Sequence, residues 1–344
     1  MRSLSYIAAS CLLLSGAVAC TDVGSGAKQQ FAQLPALGEY PSASRSTPRE
    51  RVWRPAPLKQ DLVLGTQGHS LVQPLNVRVS PDGNLFVMDF GATRVAEFGP
   101  DGRLVRQYGT GKGRGPGELL SLTDIAVPND REVWALDPSG GRIVVFDRGG
   151  RPVRHVPLAL PTTRMQVRGD HSFLLMSLNG YLFAEFDSAG ERKRGFGHLL
   201  PDQGTRGIAL QGEFVETPRD GIVWAPMRAG YLARFTQDGR VAFYVETVDR
   251  QKFPDVKQLP NGALTVDGPK RMASRSIGVS GNDILVLVPL QKGENLQWAV
   301  DVYALRDGAY RYSFRMPTVE SPRLASTDDA VFIISDSTVV RWRR

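Results

Sequence analysis

The chain has 344 residues, with 42 Lys and Arg against 35 Asp and Glu and a net charge of +7. A hydrophobic content of 42% supports a large core and excludes global disorder. The 36 Gly and 23 Pro follow no three-residue period, which excludes collagen and favours short strands and tight turns, and 2 Cys are too few for a disulfide scaffold.

In chain order, the first element is a leader. Arg2 supplies a positive start, and Leu4 to Ala19 is uncharged and apolar or small. The stretch is short for a stop-transfer helix and reads as a signal peptide over residues 1–19. Its end, Ala17-Val18-Ala19-Cys20, resembles a bacterial lipobox, which implies acylation of Cys20 as the first mature residue. The same Ala-Val-Ala also suits an ordinary signal peptidase, and an uncleaved anchor is a further alternative. Cys11 falls within the leader, so the mature body has no thiol beyond Cys20 and no thiolate chemistry. Residues 20–49 are polar and rich in small residues and Pro, a lipidated tether.

Residues 50–344 read as one all-β domain. A β run, a turn closing on Gly and a second β run recur as RVAEFGPDGRLVRQYG, RIVVFDRGGRPVRHVP, YLFAEFDSAGERKRGFG, YLARFTQDGRVAFYVE and VDVYALRDGAYRYSF. The turn glycines are Gly102, Gly150, Gly190, Gly239 and Gly308, where a positive φ is expected. A polar turn with an apolar strand precedes each copy, and a sixth turn-and-strand ends the chain. These strands centre on Phe86, Trp134, Leu174, Val223, Leu285 and Phe332, spaced 48, 40, 49, 62 and 47 apart. Six units of about four antiparallel strands describe a six-bladed β-propeller. The sixth unit lacks an outermost strand at Arg344, and DLVLG at 61–65 is placed to supply it and close the ring.

The connector GTGKGRGPGELLSLTDIAV, with Asp89-FGAT-Arg94-VAEF and Asp137-PSGG-Arg142-IVVF, resembles the six-bladed propellers of the NHL and related families. With the leader, the whole is similar to exported six-bladed propeller lipoproteins of bacteria. That resemblance implies a domain lodged in the cell envelope, facing the periplasm or the exterior. It carries little about activity, since one propeller fold hosts many functions.

Asp89 and Arg94, and Asp137 and Arg142, sit five apart across a hairpin turn and read as structural ion pairs, with charges at a channel mouth as the other reading. The innermost strands line the axis, which makes Asn76 and Asp124 the polar channel candidates. Gluconolactonase-like propellers hold a divalent ion with Glu, Asp and Asn on the channel. Glu213, Glu216, Asp124 and Asn76 are suitable types here, although no resident metal or cofactor is assigned. The four His have no metal-ligand spacing. Nucleophile-elbow, zincin, Walker and dinucleotide motifs are absent, and GKGRGPG at 111–117 lacks the ending of a phosphate loop.

Trp224 and Arg228 lie where Pro226 interrupts a strand, and residues 243–278 form a longer link with Lys252, Phe253, Lys270 and Arg271. Both are candidate rim contacts. Basic and acidic residues are interspersed, which argues against nucleic acid. The expectation is a monomeric, membrane-tethered binding or scaffold propeller for a protein or glycan, rather than an enzyme. The alternative is a metal-dependent hydrolase or lyase at the axis.

Overall fold

The computed structural model describes residues 42–66, 70–158, 160–177, 180–200, 207–217, 221–267, 271–292, 295–317 and 320–343. Residues Tyr40–Arg344 form one compact unit. The leader and Cys20 lie outside the described residues. Among those described, no helix is long and apolar enough to cross a membrane.

Six antiparallel four-stranded blades are present. In chain order, from innermost to outermost strand, blade 1 covers residues 74–108, blade 2 residues 124–157, blade 3 residues 165–196, blade 4 residues 212–246 and blade 5 residues 276–315. Blade 6 takes three strands from residues 323–343, and its outermost strand is Lys59–Leu64 from the other end of the domain. That strand pairs antiparallel with Thr338–Arg343, matching Leu64 to Val339. The ring is therefore closed by main-chain hydrogen bonds, as the missing sixth-unit strand requires.

The second strands are apolar on both sides, and each face meets a neighbouring blade. Phe86 and Tyr108 of blade 1 pack with Ile125 and Phe146 of blade 2. Trp134 and Ile143 of blade 2 pack with Phe173 and Phe186 of blade 3. The same arrangement continues around the ring, to Val77 and Phe98 of blade 1 against Phe332 and Ile334 of blade 6.

The repeated hairpin has one geometry. In blades 1 to 5 the register slips at the end of the third strand, at Phe98, Phe146, Phe186, Phe235 and Tyr303. The turn glycines that follow all have positive φ, from +71° at Gly308 to +90° at Gly190. A turn ending in a left-handed residue beside a bulge is the standard short hairpin of this length. Three positions after the residue following that glycine, an Arg bridges to the next blade. Arg106 donates to Gly149 O at 2.7 Å, Arg154 to Ser188 O at 2.9 Å and Arg194 to Asp238 O at 2.8 Å. Blade 4 has Phe243 there, and it packs on Gly308 of blade 5 instead.

Asp89 and Asp137 face Arg94 and Arg142 directly across their hairpins. The guanidiniums stand 4.0 and 3.5 Å away, but the hydrogen bonds of the two carboxylates go chiefly to main chain. Asp89 accepts from the amides of Val72 and Gln73. Asp137 accepts from those of Leu120, Ser121 and Gly140 and from the Ser121 hydroxyl. Each buried acid thus ties the segment entering its blade to the turn between second and third strands.

The described chain begins earlier than the expected domain edge at residue 50. Residues 42–49, assigned by sequence to the tether, belong to a strap on the outside of the ring. Ser44 exchanges main-chain bonds with Tyr244 and Glu246 on the outer edge of blade 4. Val52 and Arg54 do the same with Ser313 on the outer edge of blade 5. Between them Arg51 grips Asp249, at 2.6 and 3.1 Å, and the buried Asp301, at 2.8 and 2.9 Å. Edge strands need such cover, because their unpaired main-chain groups otherwise recruit other chains.

Replacing Asp137 with Ala leaves several part-buried amides without an acceptor and should cost about 3 kcal/mol. The midpoint of thermal unfolding should fall by roughly 5–10 °C, whereas Arg142→Met should cost clearly less. Equal losses from the two variants would return the weight to the ion pair.

Candidate functional site

The innermost strands enclose an axial cavity of about 180 Å³. Asn76 and Arg78 come from blade 1, Thr123 from the lead into blade 2, and Arg164 and Gln166 from blade 3. Blade 4 contributes Glu213 and Glu216, blade 5 Ser276 and Ile277, and blade 6 Arg323 and Ser326. Alternation along a strand turns every second side chain toward the axis, which is why Asn76 and Arg78, or Arg164 and Gln166, appear together.

Glu213 is the centre of this lining. Arg164 grips both of its carboxylate oxygens, with Nε–Oε2 at 2.6 Å, and Arg323 approaches Oε1 at 3.3 Å. Burial works to raise the carboxyl's pKa. The charges of Arg164, Arg323 and Arg78, with the Arg164 hydrogen bonds, outweigh it and hold the group below the usual carboxylate range. Glu216 accepts from Gln166 Nε2 at 2.9 Å and stands 3.6 Å from Arg168.

Asn76 and Asp124 are brought together. Asn76 Nδ2 donates to Asp124 Oδ1 at 2.8 Å, and Asn76 Oδ1 accepts from Arg78 at 3.2 Å. Asn76 lines the cavity, while Asp124 is buried behind it and accepts the amide of Met165 in blade 3 at 2.9 Å. Ser276 does the same for the amide of Leu324 one blade on at 3.0 Å. The inner ring is stapled blade to blade by these side chains.

A divalent ion needs carboxylate oxygens turned to one point. Among the described residues, no group of three or more His, Cys, Asp and Glu is placed to share one. Glu213 is held by a guanidinium fork, Asp124 accepts from amides, and three guanidiniums surround the place a cation would occupy. This lining does not fit a gluconolactonase-like metal centre. Glu213 was recognisable by residue type. Arg78, Arg164 and Arg323 were missed, although each lies in or at the lead into an innermost strand, in the same setting as Asn76.

Of the proposed rim residues, Trp224 is fully buried in the core between blades 3 and 4 and does not reach the rim. Arg228 is half-buried, and its carbonyl accepts from Gln251 Nε2 at 2.7 Å. The same amide donates to the carbonyl of the exposed Arg271, which pins the two ends of the insert together. Phe253 stacks on Tyr231, with ring centres 4.7 Å apart, and Lys252 is exposed. Lys270 lies outside the described residues.

The expected 243–278 link resolves into three parts: the end of the outer strand of blade 4, the start of the inner strand of blade 5, and an insert between them carrying its own hairpin. That hairpin pairs Asp255–Gln258 with Leu264–Asp267 and packs beside the short 3-10 turn Gly207–Leu210 that leads into blade 4. In blade 5, the second and third strands are each ten residues long, and residues 288–292 and 295–298 run beyond the inner strand. Both hairpins rise from the face that carries the starts of the innermost strands. They expose Leu259, Leu264 and Leu296, each more than 40% accessible. The GKGRGPG connector is occupied by its own anion, because Glu118 accepts from the Gly115 amide at 2.7 Å.

Comparison with known families matches residues 62–210 to a family described as a six-bladed β-propeller, DUF5128. Curated proteins return no match. Among solved structures, a Bacteroides fragilis protein described as exported is 14% identical with a TM-score of 0.57, covering 85% of this chain and 98% of its own. A Bacteroides vulgatus member of the DUF4221 family is 9% identical with a TM-score of 0.55, covering 83% and 97%. Virginiamycin B lyase from Staphylococcus aureus is 13% identical with a TM-score of 0.52, covering 83% and 99%. At these identities the likeness establishes the fold alone.

Because the folded pKa of Glu213 is depressed, its stabilisation is complete above the unfolded carboxyl range and disappears as pH falls through the folded value. Glu213→Gln should cost about 2–3 kcal/mol at neutral pH, with a shallower loss below pH ~4.3 than the native chain. Urea unfolding across acidic pH measures both, and parallel curves would show that the guanidiniums do not depend on this charge.

Proposed function

We propose that this protein is an envelope-anchored binding propeller that engages a protein partner through the face carrying the two projecting hairpins. The observation that carries this reading is the exposure of Leu259, Leu264 and Leu296 on two hairpins that rise from one face. Exposed apolar groups gathered on one face and rimmed by polar ones suit an interaction site. Lys252 and Arg271 supply part of that rim. Aliphatic side chains on strand edges suit another protein's side chains and main chain. The axial polar groups support binding over catalysis, since Glu213, Asp124 and Asn76 are spent on joining blades. Export and acylation at Cys20 follow from the leader and its Ala-Val-Ala-Cys ending. The exported description of the Bacteroides fragilis neighbour agrees with that reading.

A photo-crosslinking residue placed at Leu264 or Leu296 in cells should give one discrete adduct. The same residue at Val105, on the outer edge of blade 1, should not. Leu259→Asp with Leu264→Asp should reduce the adduct at least tenfold, consistent with loss of two central apolar contacts at about 1 kcal/mol or more each, with the melting midpoint unchanged. Identical adducts from Val105 and Leu264 would remove the assignment of this face. Separately, Cys20→Ser should release the chain from a membrane fraction washed at high salt, which removes purely electrostatic attachment, and retention through that wash would refute the anchor.

A further inference from the structure

The strap differs in character from the rest of the surface. Residues 42–59 contain Arg45, Arg49, Arg51, Arg54 and Lys59 against the single acid Glu50. Arg51 is turned inward onto Asp249 and Asp301. Arg49, Arg54 and Lys59 are exposed, as is Arg45, whose Nε donates to Glu246 at 3.2 Å. Between them Val52 and Trp53 are 51% and 43% accessible, although their main chain is fixed to Ser313 and the Tyr310 hydroxyl. The indole is held rather than loose, because the Arg315 guanidinium lies 4.3 Å from its ring centre. Arg54 likewise sits over Tyr312 at 4.9 Å. A rigid edge therefore presents one Trp, one Val and a row of cations outward.

From these observations the geometry points to the strap as a membrane-docking edge that lays the outer side of blades 4 and 5 on an anionic phospholipid surface. The reading rests on the anchored state above only to bring a bilayer near. Trp is favoured at the headgroup level, where its ring is part apolar and part polar. Each basic residue close to an anionic leaflet contributes of order a fivefold gain in partitioning. The chain outside the described part strengthens the assignment. Residues 21–41 span up to roughly 70 Å when extended, so acylation alone leaves the ring free to turn. A second contact, placed where that tether enters the domain, sets its orientation. Docking by an edge leaves the hairpin face open to a partner.

The test uses residues 21–344, which hold the closed ring and its strap but no acylation site. Its outcome is thus independent of whether Cys20 is modified. The purified chain should sediment with phosphatidylcholine vesicles containing phosphatidylglycerol and not with phosphatidylcholine alone, and high salt should release it. Arg49→Gln with Arg54→Gln should weaken partitioning about 25-fold, and Trp53→Ser should weaken it further. Brominated acyl chains should quench tryptophan emission in the native chain and much less in Trp53→Phe, a variant that keeps an aromatic ring on the strap. Equal sedimentation with both vesicle types, partitioning indifferent to the arginine pair, or quenching that survives Trp53→Phe would overturn the assignment.

Discussion

A propeller blade is a thin sheet with two apolar faces, and it can bury neither by itself. Everything else in this chain answers to that constraint. Phe86, Trp134, Val223 and Leu285 are fully or almost fully buried only because another blade stands on each side. The stack of sheets must therefore return on itself, and the last interface, Val77 and Phe98 against Phe332 and Ile334, forms between elements far apart in sequence. Lys59–Leu64 joins the first-formed end of the domain to the last strand, so closing the ring and covering the edge of blade 6 are one event.

Polar groups in this molecule are spent mostly on holding neighbours in place. Asp89 and Asp137 hold entering segments by their amides, Asp124 and Ser276 hold adjacent inner strands, and Arg106, Arg154 and Arg194 bridge successive turns. The same economy governs the axis, where Glu213 is held by Arg164 and Arg323, and Arg78 bonds Asn76, Asp124 and the Ile125 carbonyl. A part-buried carboxylate paired this way is poorly placed to bind a cation or move a proton. The chemistry left over for recognition lies outside the repeat, in the insert hairpin, the lengthened hairpin of blade 5 and the strap. These are the parts where the chain departs from its period of about 49 residues.

Most of the repeat was legible. Strand positions, the glycine turns, the blade count and the closing strand all follow from local patterns, because hairpin geometry is set by a few adjacent residues and repeats in step. Asn76 lines the axial cavity as its place in the innermost strand suggests, whereas Asp124, read the same way, is buried behind it. The assembly around Glu213 was not legible, since Arg164 and Arg323 are 49 and 110 residues from it and meet it only across the ring. Trp224 was misread because Pro226 suggested an irregular rim, whereas the strand continues through Ile222–Pro226 and buries the indole. The first part of the strap, residues 42–49, was grouped with the tether and the rest with the ring, because the strap has no periodicity. Its order comes from Arg51 meeting two acids about 200 and 250 residues away.

By itself, then, the sequence determined the unit: its strands, its turns, the number of copies and the need for one borrowed strand, all consequences of short-range backbone preference and alternation. Only the tertiary structure decided which charges meet at the axis, that its carboxylates are paired with guanidiniums and amides, and that an unpatterned basic segment becomes a fixed edge. Those depend on through-space contacts between side chains from different blades, and no local pattern encodes a distance that the closing of the ring creates.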